Sequence, residues 1–371
     1  MKYVEFTDRI YYNIFDKKML RKFLIRFNNK RKIYMEATML NGKSILITGG
    51  TGSFGNAFTE YVLEHYNPEK IVIYSRDEFK QFNMANKFKD HADKLRFFIG
   101  DVRDESRLKR AFNGIDYVVH AAAMKQVPAC EYNPIEAIKT NIDGATNVIN
   151  AALDAGVKKV VALSTDKSVN PINLYGGTKL VSDKLFISAN AYAGKNDINF
   201  SIVRYGNVAG SRGSVIPFFD EIIKNGGTQL PITDFRMTRF WISLRQGVEL
   251  VIKALEEAKG GETFISKIPS FKVTDLAQAM MPGCKMPEVG IREGEKLHEI
   301  MITIEDSMHT YEYDKHYIVY PQINWWNESK LIAGGKKLEY GFSYSSDSNK
   351  EWLNAEDLKE LLDKGFYKEE K

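Results

Sequence analysis

The chain has 371 residues, 44% hydrophobic and 27% charged, enough for one sizeable α/β domain with a smaller lobe and too apolar to stay disordered. Its formal net charge of +4 sits at one end: residues 1–38 hold ten Lys and Arg against four Asp and Glu, leaving a small negative balance elsewhere and no nucleic-acid-binding signal. Two distant cysteines, Cys130 and Cys284, argue against a disulfide framework and a cysteine-rich zinc site, and fit a reducing cytoplasm.

Residues 1–38 contain no apolar run near the ~20 residues of a membrane span. They also lack the uninterrupted apolar core of a secretory signal. A basic amphipathic surface helix fits residues 19–27, but the stretch as a whole predicts a poorly ordered extension, with the folded domain starting at Met39.

From there, strand-length apolar runs recur at 44–48, 70–75, 95–100, 117–121, 158–164 and 200–204, with helical segments between them. That alternation predicts a Rossmann-type, doubly wound parallel sheet. Residues 39–210 are expected to form the dinucleotide-binding domain, with a late strand near 262–267. Residues 211–371, richer in Gly, Pro and Arg, are expected to form mainly a smaller α/β substrate-binding lobe.

The first strand runs straight into Gly49-Gly50-Thr51-Gly52-Ser53-Phe54-Gly55, followed by a helix expected over 53–65. Glycines there allow a tight turn and close backbone approach, and the helix N-terminus meets a pyrophosphate with free N–H groups. No Lys-Ser or Lys-Thr follows, which removes the P-loop reading. The second strand ends in Ser75-Arg76-Asp77-Glu78-Phe79-Lys80, where the adenosine ribose is selected. Arg76, with Ser75 and Lys80, suits the 2′-phosphate of NADP; the alternative is that Asp77 binds the bare ribose of NAD. Asp101-Val102 and Ala121 follow the third and fourth strands, placed to pack around adenine and the nicotinamide ribose.

After the fifth strand come Thr165-Asp166-Lys167 and then Tyr175, four residues before Lys179. At that spacing on a helix the Tyr and Lys share one face, where an ammonium lowers a phenol toward the range of a base. Oxidising an alcohol needs one proton acceptor; removing water as well needs two more proton-transfer groups, and Asp166 with Lys167 supplies them. The count favours a dehydratase. In the lobe, Arg212, Arg236, Arg239, Arg245 and Arg292 are candidates for a diphosphate. His298-Glu299 opens like a zinc-protease helix, but position 302 is Ile, so that motif fails.

The glycine loop and the Tyr-x-x-x-Lys pair resemble the extended short-chain dehydrogenase/reductase superfamily. More narrowly, Ser75-Arg76-Asp77-Glu78, Ala121-Ala122-Ala123-Met124-Lys125, Ser164-Thr165-Asp166-Lys167, Arg204-Tyr205-Gly206-Asn207-Val208 and Thr238-Arg239-Phe240-Trp241-Ile242 are similar to the inverting UDP-N-acetylglucosamine 4,6-dehydratases. The resemblance runs from about Met39 to Asp347. Gly177 and Gln126 depart from the family pattern, which usually has Ala and His there.

The resemblance implies that Tyr175 and Lys179 hold the nicotinamide ribose and activate the sugar 4-hydroxyl, with Thr165 beside them, Lys167 as the base at C5 and Asp166 as the acid at the 6-hydroxyl. A base Lys must be neutral, so its pKa is expected to be depressed. The cofactor is implied to be NADP, held by Gly49, Thr51, Gly52, Ser53, Phe54, Gly55, Ser75, Arg76, Asp77, Glu78, Phe79, Lys80, Asp101, Val102, Ala121, Lys125, Tyr175, Lys179 and the run Val208, Ala209, Gly210, Ser211, Arg212. UDP-N-acetylglucosamine is implied to meet Lys125, Thr165, Asp166, Asn207, Val215, Thr233, Arg292 and Glu295. The implied product is UDP-2-acetamido-2,6-dideoxy-beta-L-arabino-hex-4-ulose, the first intermediate of pseudaminic acid synthesis for flagellin glycosylation, made by a cytoplasmic homo-oligomer. Two rival activities fit the same fold: a nucleotide-sugar 4-epimerase, which needs no Asp-Lys couple, and a retaining 4,6-dehydratase, in which Asp-Glu is expected after the Thr.

Overall fold

A computed structural model describes residues 39–194, 197–211, 214–322, 332 and 334–365; the extension expected over 1–38, with its candidate helix, lies outside the described residues. The first half contains β1 (Ser44–Thr48), β2 (Lys70–Ser75), β3 (Leu95–Ile99), β4 (Tyr117–His120), β5 (Lys159–Thr165) and β6 (Asn199–Tyr205). The second half contains β7 (Thr238–Phe240), β8 (Thr263–Ser266), β9 (Ser270–Lys272), β10 (Ile300–Ile302), β11 (Thr310–Glu312) and β12 (His316–Val319). Three short strands complete it: β13 (Lys336–Lys337), β14 (Tyr344–Ser345) and β15 (Trp352–Leu353).

Seven strands run parallel in the order β3-β2-β1-β4-β5-β6-β8, and β12, β11 and β13 extend that edge antiparallel. The inner strands β1, β2, β4, β5 and β6 are rich in β-branched residues and largely buried on both faces, which is why they read as continuous apolar runs rather than alternating ones. Successive side chains nevertheless part company: Ile45 and Ile47 join the core under the helices Ser53–His65 and Leu244–Glu257, while Leu46 joins the opposite core. That second core packs beneath the helices Glu105–Phe112, Gly144–Ala155 and Leu174–Ala189. The chain after residue 210 is shared. It gives β8, β11, β12 and β13 to the main sheet and builds a separate core from Ile216, Phe219, Leu230, Ile232, Met237, Trp241, Phe271, Leu276, Leu358 and Leu362. Beside that core, β7, β9 and β15 form a small sheet, and β10 pairs with β14.

The strand order reverses between β1 and β4. The carboxyl ends of these two strands therefore part and open a crevice, the place where ligands sit in sheets of this kind.

Candidate active site

A cleft of about 530 Å³ opens at this crevice. The turn after β1 forms its floor. Gly49 has φ +67°, and a Cβ there would lie 2.9 Å from the Ala122 backbone after β4; a Cβ on Gly55 would strike the Gly50 carbonyl. The helix Ser53–His65 starts at Gly52 with no side chain capping its N-terminus, so its first N–H groups face the cleft. Backbone so bare and so closely packed fits a pyrophosphate, and the Gly, Ser and hydroxyl-rich lining fits a nicotinamide dinucleotide.

Along that floor the cleft is lined by Gly49, Thr51, Gly52, Ser53 and Phe54, and then by Ser75, Arg76, Asp77 and Lys80 at the end of β2. Gly55 lies beneath the turn, and neither Glu78 nor the exposed Phe79 lines the cleft. Asp77 is engaged elsewhere. Its carboxylate caps the helix Glu78–Lys87 by accepting from Lys80 N at 3.0 Å and pairs with the Lys80 ammonium at 3.1 Å. Arg76 keeps 61% of its side chain exposed and stands 3.8 Å from Asp101, which the Arg103 guanidinium also holds. Asp101, Val102, Ala121 and Lys125 line the middle, and Val208 and Ser211 the far side; Ala209 and Gly210 do not, and Arg212 lies outside the described residues.

The reacting residues enter from β5 and the helix that follows it. Register pairs Thr165 with Tyr205, so the turn Asp166–Ser168 lands beside Gly206 and Asn207. Ser164 and Ser168 both donate to Asp183, at 2.5 and 3.1 Å, fastening that turn to the helix Leu174–Ala189. Gly176 makes the close packing possible, because a Cβ there would strike the Lys167 carbonyl. Asn173 caps the helix by accepting from Gly176 N at 2.7 Å, and Tyr175 and Lys179 then fall one turn apart, both buried and both facing the cleft.

Lys167 is the centre of the charge pattern. Its ammonium donates to Asp166 Oδ1 at 3.1 Å and Asn207 Oδ1 at 3.0 Å, and lies 3.3 Å from Glu299 Oε1. Burial alone would depress it, but the Asp166 and Glu299 carboxylates outweigh burial and raise it. The expectation of a depressed Lys167 is therefore corrected: the two carboxylates set its charge. Burial and the Glu299 charge raise Asp166, against the pull of Lys167. Glu299 goes the other way. Burial opposes its charge, yet Lys167 and Arg239 hold it below the usual range.

Tyr175 also departs from expectation. Burial pushes its phenol up to about 12, and the largest lowering influences are Lys167 and its neighbour Thr165. Lys179 is itself depressed by burial, against Asp183. Its positive charge is felt at His120, which burial and Lys179 together push down to about 3.

Of the residues expected at the substrate, Lys125, Thr165 and Asn207 line the cleft. Asp166 lies wholly buried behind them, bonded to Thr165 Oγ1 at 2.9 Å. Val215, Thr233, Arg292 and Glu295 do not line it. Residues 292–295 form a turn around Gly294, and Glu295 pairs with Arg239 at 3.4 Å rather than with Arg292. Two functional neighbours escaped the sequence reading. Glu299, read in the sequence only as part of a failed zinc-protease motif, is 132 residues from Lys167; Asn141 sits in a single π-turn, Lys139–Asp143. The Asn141 amide accepts from Met124 N at 2.8 Å and donates to Thr178 Oγ1 at 3.0 Å, tying the Ala121–Lys125 stretch to the Tyr175 helix. Among the described residues no cluster of His, Cys, Asp and Glu could hold a metal, and no helix is long and apolar enough to cross a membrane.

The glycine turn at the strand-order switch, with a buried Tyr-x-x-x-Lys helix closing the same cleft, defines a Rossmann-type fold of the short-chain dehydrogenase/reductase kind. Within that class the chain belongs to the polysaccharide biosynthesis protein family, whose model matches residues 45–321. It is 56% identical over 330 residues to the UDP-N-acetylglucosamine 4,6-dehydratase (inverting) of Campylobacter jejuni, covering 87% of this chain and 98% of that protein. It is 41% identical over 332 residues to a UDP-glucose 4-epimerase of Rickettsia canadensis, covering 87% and 96%. The solved structure of Pen from Bacillus thuringiensis superposes with a TM-score of 0.80 at 38% identity, over 88% of this chain and 99% of that one. The narrower resemblance drawn from the motifs thus extends over nearly the whole domain.

Proposed function

We propose that the protein is a C5-inverting UDP-N-acetylglucosamine 4,6-dehydratase that uses NADP and opens pseudaminic acid synthesis. The observation that carries this reading is the contact between Lys167 and Asp166 at 3.1 Å, beside Tyr175 and Lys179 in one cleft. An epimerase has no use for that couple.

When bound, the nicotinamide would supply a hydride acceptor for C4 and a hydride donor for C6. Lys179 and Tyr175 would hold its ribose. Tyr175 Oη would take the 4-hydroxyl proton; its raised resting pKa means that the neighbouring positive charges must act on it in the loaded site. Once C4 is a ketone, the C5 proton becomes acidic, and Lys167 Nζ would remove it. Lys167 starts charged, so it must first shed a proton. Asp166 Oδ1 is in contact and its affinity for a proton is raised, so one transfer between them turns the resting ion pair into a neutral base and a loaded acid. Asp166 is buried, and its proton would reach the departing 6-hydroxyl through Thr165 Oγ1. Because water leaves with the proton that Asp166 received, the pair needs no external acid.

NADP is favoured over NAD because both Asp77 oxygens are committed to Lys80 and its backbone N–H, which leaves Arg76 as the exposed group at the end of β2. The lobe core around Phe219 and Trp241 would carry the nucleotide-binding surface. Mass spectrometry of the product tests the reading: incubation with UDP-N-acetylglucosamine should give a nucleotide sugar lighter by one water, and a product of unchanged mass would make the protein an epimerase.

A further inference from the structure

We propose that Glu299 is a positioning residue of the dehydration site: it anchors the Lys167 ammonium from the lobe side and makes Asp166, not itself, the carboxyl that exchanges a proton with Lys167. The inference rests on the assignment of Lys167 and Asp166 given above.

Glu299 immediately precedes β10, and its main chain is held from both sides. Its N–H donates to Ser346 Oγ at 2.9 Å, and its carbonyl accepts from Ser346 N at 2.8 Å. Ser346 Oγ is joined to Thr238 Oγ1 at 2.7 Å, and Thr238 Oγ1 to His298 Nδ1 at 2.8 Å. A backbone pinned this way leaves only the side-chain torsions free. The carboxylate is 2% exposed, with Oε1 3.3 Å from Lys167 Nζ and 3.7 Å from Arg239 Nε, while Oε2 is buried without a hydrogen-bond partner. A carboxylate this deep persists as an anion only when opposite charges face it. Arg239 is locked for that task, donating to the carbonyls of Thr238 at 2.8 Å and Leu297 at 3.1 Å.

The charged and titratable groups facing Lys167 are Asp166, Glu299, Arg239, Lys296 and the Tyr175 phenol. Their arrangement is asymmetric. Arg239 faces Glu299 in addition to Lys167, and Lys296 interacts more strongly with Glu299 than with Asp166, whereas Asp166 is held mainly by Lys167 and meets the repelling Glu299. The shared proton is thereby directed to Asp166, next to Thr165 and the cleft, instead of to Glu299, which does not line the cleft and would strand it. Glu299 acts through Lys167 and touches no substrate.

The test follows the side-chain nitrogen of Lys167 by NMR in the full chain labelled with ¹⁵N-lysine, assigned with Lys167→Met, alongside kcat and KM. Glu299→Gln should move the Lys167 titration to lower pH by about one unit or more, cut kcat at least about tenfold and leave KM for UDP-N-acetylglucosamine within about twofold. Glu299→Asp keeps the charge but withdraws it by one methylene; it should give a smaller shift in the same direction with a reduced kcat. An unmoved Lys167 titration in Glu299→Gln would overturn the proposal. Should Glu299→Gln not fold, an unmoved titration with unchanged kcat in Glu299→Asp overturns it equally. The NMR midpoint does not depend on turnover, so a wild-type protein that fails to dehydrate the sugar would sink the functional reading while leaving this one measurable.

Discussion

Lys167 Nζ stands 3.1 Å from Asp166 Oδ1, although the two residues are neighbours in sequence and leave β5 in a single 3₁₀ turn. Adjacent side chains on a strand point apart. The turn Asp166–Ser168 folds them back onto each other, and Asn207, two residues past the end of β6, fixes the ammonium at 3.0 Å.

Basicity and charge at Lys167 are separable by substitution. Lys167→Arg keeps a cation beside Asp166 but cannot deprotonate in the working range. Both Lys167→Arg and Lys167→Met should lower the dehydration rate by about 10²–10⁴-fold, the usual contribution of a positioned general base. Single-turnover assays check this; full activity in Lys167→Arg would remove the base assignment.

The consecutive glycines 176 and 177 should respond in opposite senses to alanine. At Gly176 a Cβ would collide with the Lys167 carbonyl, so Gly176→Ala should cost about 1–3 kcal/mol and displace Lys167. At Gly177 nothing lies within 4 Å, and φ there is not positive. Gly177→Ala should therefore stabilise the helix by up to about 1 kcal/mol with activity intact. Urea denaturation of the two variants measures both.

His120 makes the fold sensitive to acid. It is fully buried, hydrogen-bonded to Thr48 Oγ1 at 2.8 Å, and its pKa falls to about 3 in the folded state against about 6.5 when unfolded. Between those values the unfolded chain binds the extra proton, so stability is lost as pH falls from about 6.5, by up to about 1.4 kcal/mol per unit. Comparing denaturation at pH 7 and pH 5, the wild type should lose about 2 kcal/mol more than His120→Asn. Equal losses would show that His120 does not control acid sensitivity.

Arg76 should control cofactor choice. Arg76→Ala removes the exposed guanidinium at the end of β2 while Asp77 stays bound to Lys80. Its affinity for NADPH should fall by roughly 10- to 100-fold, as expected for losing a charge-assisted contact, with NADH affinity little changed. Fluorescence titration reads both; a parallel fall would mean that Arg76 does not meet the 2′-phosphate.

The sheet was legible because its first six strands are apolar runs, all but β3 largely buried, with a helix before the next, and the helix Ser53–His65 was readable from its glycine turn. The return of the chain to the sheet was visible at β8 but not at β11 to β13, which are only two to four residues long, too short to show a strand period even where, as in β12, they are buried. At the site, Tyr175, Lys179, Asp166 and Lys167 were readable because local spacing places them. Their charges were not. Those depend on Glu299 and Arg239, which reach Lys167 only through the pairing of β10 with β14 and the position of β7. Arg292 and Glu295 were expected at the substrate, but Glu295 is drawn to Arg239 by a turn at Gly294 that composition does not reveal.

The central claim is tested most directly by NMR of the reaction with UDP-N-acetylglucosamine in deuterated water. The account predicts a 4-keto-6-deoxy product that has lost one water, carries deuterium at C5 and has the opposite C5 configuration to the substrate; a product that keeps its 6-hydroxyl, or that retains the C5 hydrogen and configuration, would contradict it.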